Sequence, residues 1–103
     1  MKQLISQEDF VARLDGWIGQ EVAIRMVGDG DELLAVFQGQ LGERSDEKEP
    51  ALFWPLPRVT RAAHAEKPGI YLHPERFERA AVREGKFVLE LGQAGATLNI
   101  RLL

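Results

Sequence analysis

Two periods organise the hydrophobic positions of this chain. Phe10, Val11, Leu14, Trp17 and Ile18 recur every three or four residues and form one apolar stripe, the spacing of an amphipathic helix. Ser6 stands where a side-chain N-cap is needed, Asp9 falls at N3, and Ile5 is placed to staple against Phe10 at N4. The pattern predicts a helix over about 7–18. Gly19 is placed to stop it as a left-handed residue, and Gly16 weakens its last turn.

After Gly19 the period falls from about 3.6 to 2. Val22, Ile24 and Met26 share one side of the next run, Gly28-Asp29-Gly30-Asp31 supplies turn chemistry, and Leu33, Ala35, Phe37, Gly39 and Leu41 alternate beyond it. The segment 21–41 therefore reads as a β-hairpin, with Gly39 marking a bulge or bend in its second strand. A polar, acidic loop follows over 42–50. Short strands are expected across 51–83, where Pro55 and Pro57 confine Ala51-Leu52-Phe53-Trp54 to an edge or end it. Phe87, Leu89 and Leu91, then Leu98, Ile100 and Leu102, alternate about Gly92-Gln93-Ala94-Gly95 and predict a C-terminal hairpin over 86–102.

Pro74 to Arg83 fits two readings. As a helix it has Pro74 at N1 and Gly85 as a stop. As a strand it turns at Glu84-Gly85 and sets Val82 opposite Phe87 and Arg79 opposite Glu90. The strand is preferred, because a lone helix would interrupt a run of short strands, although this register also sets Arg83 against Lys86.

These elements add up to one mostly β (α+β) domain over 1–103: an N-terminal helix packed on a small, curled antiparallel β-barrel or half-barrel. A short helix before a strongly bent hairpin, over Ser6 to Leu41 and including Phe37-Gln38-Gly39-Gln40-Leu41, resembles SH3-like or Sm-like barrels. The Sm-like resemblance implies RNA binding. The residues that serve it in that family, an Asp and Asn after the bent strand and a late Arg-Gly pair, have no counterpart: the only Asn is Asn99, and Leu102 follows Arg101.

Composition narrows the chemistry. The chain has 103 residues, 45% hydrophobic and 28% charged, and no cysteine, which excludes disulfides, thiolate metal sites and cysteine nucleophiles. The longest apolar run, Ala51 to Pro57, is far shorter than the ~20 residues of a membrane span, and no secretory signal pattern precedes the helix. A cytoplasmic, bacterial location with no membrane contact is expected. The net charge is −3, which argues against a dedicated duplex-DNA binder. It is unevenly spread: residues 1–52 hold 5 basic and 11 acidic groups, residues 53–103 hold 8 and 5. Such polarity can orient a partner or set up head-to-tail contacts between copies.

No catalytic motif emerges. His64 and His73, near Glu66 and Glu75, lack helical metal spacing, and neither Ser6 nor Ser45 sits in a nucleophile elbow. Gly28-Asp29-Gly30-Asp31-Glu32 gathers three carboxylates but lacks the later ligands of a calcium loop, so it reads as a hairpin turn. No cofactor and no metal site is expected. The stretch Phe53 to Tyr71 instead interleaves aromatics with cations, the chemistry of protein hot spots and of single-stranded nucleic-acid binding. The expected function is a non-catalytic protein-interaction domain, self-association being one route, with a contact surface of Trp54, Arg58, Arg61 and Tyr71. A small barrel that binds single-stranded nucleic acid through the same face is the alternative.

Overall fold

The computed structural model describes residues 2–45, 51–56, 58–63 and 69–103, with 58–63 and 84 described by their backbone alone. The helix α1 spans Gln7–Asp15, and the Ser6 side chain accepts the Asp9 backbone N–H at 3.0 Å. It stops three residues short of the period-based limit. Gly16 is its C-cap, and the chain continues as turns closed by Trp17 N–H to the Leu14 carbonyl and Ile18 N–H to the Asp15 carbonyl. Gly19 then takes a φ of 90°, open to glycine without a Cβ clash. Trp17 and Ile18 still pack on the core, so the apolar stripe reads on through a helix that has ended.

The described residues form nine strands, in chain order β1 (Gln3–Ile5, ahead of the helix), β2 (Glu21–Gly28), β3 (Leu33–Gln40), β4 (Leu52–Pro55), β5 (Arg58–Ala63), β6 (Gly69–Leu72), β7 (Phe77–Arg83), β8 (Val88–Gln93) and β9 (Ala96–Leu102). Seven form one antiparallel sheet in the order β1-β7-β8-β9-β2-β3-β5, while β4 and β6 pair only with each other as a ribbon. The described residues are mostly β with one α-helix, but the sheet is not closed into a barrel: the edge strands β1 and β5 do not pair. Phe10 and Leu14 of α1, with Trp54, Ile70 and Leu72 of the ribbon, fill the inner side against Val22, Ile24, Phe37, Leu89, Leu91 and Ile100. Covering that face with a helix and a ribbon buries it without closure.

Turn chemistry sets the registers. The β2–β3 turn is closed by Gly28 N–H to the Glu32 carbonyl, with Asp31 at φ 60°, a conformation Asp tolerates better than most. Ala94 and Gly95, both at positive φ, make the two-residue β8–β9 turn that suits the twist of a hairpin. Pro74 to Arg83 is a 3-10 turn over Pro74–Arg76 followed by β7. Its register against β8 differs by two residues from the sequence-based pairing: Val82 faces Leu89, Ala81 faces Glu90 and Arg83 faces Val88. A wider loop over 84–87, with Gly85 and Lys86 at positive φ, replaces the tight Glu84-Gly85 turn. That change removes Arg83 from Lys86 and expels Phe87, which is 60% exposed.

One buried side chain ties ribbon to sheet. Gln93 accepts the His73 backbone N–H at 2.9 Å and donates to the Tyr71 carbonyl, standing in for a peptide group of a missing strand and satisfying both ends of its amide. Among the described residues no helix is long and apolar enough to cross a membrane.

Candidate functional site

Of the four residues expected to form a contact surface, Trp54 lies in the core. Trp54 is 0% exposed. Its ring meets Phe10 edge-on at 6.4 Å and 87°, and its indole N–H donates to Asp15 Oδ1 at 2.8 Å. Asp15 also faces Arg44 at 3.5 Å. A carboxylate at a helix C-terminus opposes the helix dipole, and the indole N–H and the guanidinium offset that here. Trp54 thus belongs to the core, because a large amphipathic ring with its one donor satisfied is well suited to burial. Tyr71 is half-buried, stacked on its cross-strand partner Phe53 at 4.2 Å with His73 6.1 Å beyond. Arg58 and Arg61 lie on β5 at register positions opposite Gln40 and Gln38. His64 and Glu66 lie outside the described residues, and His73 forms no ion pair with Glu75 among those described.

A different set of residues converges on the outer face of the sheet. Alternation along β2 sends Val22 and Ile24 into the core and leaves Ala23 and Arg25 outside; along β9, Leu98 and Ile100 go in, and Asn99 and Arg101 stay out. Pairing then sets these positions in two rows. One runs Val36, Arg25, Asn99, Glu90, Ala81 across β3, β2, β9, β8 and β7; the next runs Gln38, Ala23, Arg101, Val88, Arg83. Arg25 and Arg101 are diagonal neighbours, with side-chain roots about 7–8 Å apart. Arg83 and Arg101 flank Val88 two strand spacings apart, about 10 Å. Ala23 is short among longer neighbours, and the face here sinks into a groove of about 470 Å³ lined by Arg25, Val36, Arg83, Val88, Asn99 and Arg101, with Leu103 at its rim.

The charge in this groove is unbalanced. Its lining holds three arginines and no carboxylate side chain. Glu90, 5% exposed on the same face, is already shared: Lys2 Nζ donates to it at 3.0 Å, with Arg79 at 3.7 Å and Arg83 at 3.6 Å. None of the ion pairs among the described residues engages Arg25 or Arg101. Two exposed guanidiniums over an apolar floor of Val36 and Val88 are suited to a partner that brings carboxylates or phosphates and a little apolar surface. A smaller concavity of about 250 Å³ lies at the Tyr71–His73 stack, with Arg76 and Gln93 beside it.

The outer-face arginines escaped sequence reasoning, although the period-2 pattern already places Arg25 and Arg101 opposite core positions. The missing information was the strand order that brings β7, β9 and β2 together. Comparison with known proteins finds no match to this chain among family models, curated proteins or solved structures.

Proposed function

We propose that this chain is a non-catalytic protein-interaction domain of the cytoplasm, whose outer sheet face receives an acidic protein segment. The observation that carries this reading is the groove in which Arg25 and Arg101 stand without a carboxylate partner among the described residues. In this reading the curled sheet is a half-barrel in the SH3-like or Sm-like style that presents its face rather than an enclosed cavity. Trp54 serves the fold, and the arginines serve recognition.

A fluorescein-labelled oligoglutamate peptide followed by anisotropy tests it. Saturable binding at low salt is expected, weakening as salt screens the pairs. Arg25→Ala with Arg101→Ala lowers affinity at least about tenfold, since hydrogen bonds to charged groups contribute about 1.5–3 kcal/mol each. Unchanged binding in that double variant rules the groove out. The second reading, single-stranded nucleic acid, draws on the Phe53–Tyr71–His73 stack with Arg76 at its side, where a base can extend the column. Oligouridylate bound more tightly than the peptide, and lost in Tyr71→Ala, would favour it.

A further inference from the structure

The groove has an unpaired counterpart elsewhere on the same molecule. At the β2–β3 turn, Asp29, Asp31 and Glu32 are all exposed, and none takes part in an ion pair among the described residues. Glycines on either side keep this tip acidic and narrow. The Glu32 carboxylate lies where a Cβ on Gly28 or Gly30 would stand, and the Asp29 carboxylate lies against Gly95. Leu33 and Leu34, 44% and 40% exposed, follow directly. The tip thus offers carboxylates beside apolar surface, the complement of a groove with arginines over valines.

The two cannot meet within one molecule. They share strand β2, whose rise of about 3.3 Å per residue puts Asp29 about 13 Å from Arg25 and about 20 Å from the level of Ala23 and Arg101. Two grooves cannot meet face to face either, because that would set arginine against arginine. Tip into groove instead sets carboxylates against arginines and leucines against valines.

Building on the interaction-domain reading above, we propose that the occupant of the Arg25–Arg101 groove is the Asp29–Glu32 turn of a second copy of this chain. The contact is heterologous, so each copy keeps a free groove at one end and a free tip at the other, and association continues into open chains rather than stopping at a symmetric dimer. It also competes with any external acidic segment for the same arginines.

Sedimentation velocity with two charge-neutralised variants tests this. The groove variant is Arg25→Ala with Arg101→Ala. The tip variant is Asp29→Asn with Glu32→Gln, leaving Asp31 in place because its φ of 60° suits Asp. The wild type is expected to form a concentration-dependent series beyond the dimer at low salt and to fall to monomer at high salt. Each variant alone stays monomeric at low salt. An equimolar mixture forms a 1:1 dimer and goes no further, joined by the one native tip and the one native groove. The dimer in the mixture also proves both variants folded. A wild type that is monomeric at every concentration at low salt overturns the proposal, as does a variant that still assembles alone or a mixture that stays monomeric while the wild type assembles. Oligoglutamate binding separates the two failures: if it persists in a monomeric wild type, the groove is an acidic-segment receptor for another protein, and self-association alone is lost.

Discussion

The two faces of the seven-stranded sheet are built from the same strands and end in opposite states. On the inner face each polar group that enters the core has a partner: the Trp54 indole N–H has Asp15, and the Gln93 amide has His73 and Tyr71. No buried side-chain nitrogen or oxygen among the described residues lacks a hydrogen bond. On the outer face Glu90 gathers three cations, while Arg25 and Arg101 form no ion pair among the described residues. Burial makes an unmet polar group costly, whereas water solvates an exposed arginine at little cost. The inner face is therefore closed to further chemistry, and the outer face is where binding can be added without disturbing the fold.

The sharpest way to break that comparison is at Trp54. Trp54→Ala removes a fully buried ring and is expected to cost about 3–5 kcal/mol, read as a lower urea midpoint; oligoglutamate affinity of the folded fraction stays unchanged. A wild-type midpoint would contradict the burial of this side chain. Next comes Glu90→Gln, expected to cost about 1–3 kcal/mol through weakened charged hydrogen bonds. It also leaves Lys2, Arg79 and Arg83 without their shared anion, so peptide affinity rises while stability falls, opposite signs that link the two faces. Asp15→Ala leaves the indole N–H buried without an acceptor, again about 1–3 kcal/mol, with no change in peptide binding. Smallest in stability is Arg25→Ala with Arg101→Ala, within about 0.5 kcal/mol of wild type in urea, although this pair carries the largest expected loss of binding. A large drop in its urea midpoint would show that these arginines hold the fold together instead.

Much of the fold was legible one segment at a time. Ser6 as a cap, the turns after Gly28 and at Ala94-Gly95, and the strand alternation on either side of them are local features, each decided by residues a few positions apart. The strand β1 was not, because Gln3-Leu4-Ile5 is too short to show a period and forms only by pairing with β7. The β7–β8 register was misread because a two-residue turn looked adequate; the like charges of Arg83 and Lys86 were the clue to a wider loop. Trp54 was misread for a related reason. Among prolines its alternation is broken, so its side could not be assigned, and its acceptor Asp15 lies 39 positions away in sequence. The carboxylate standing at the wrong end of a helix was the one local sign that something else held it.

The candidate site divides in the same way. That Arg25 and Arg101 face away from the core follows from the period-2 pattern alone, since successive side chains of a strand leave on opposite sides. That they meet Arg83 over Val36 and Val88, with no ion pair to either among the described residues, depends on β7, β8, β9, β2 and β3 lying side by side in that order. Strand pairing is made by backbone groups common to every residue, so local sequence chooses the face of a strand, while the packing of the whole chain chooses its neighbours.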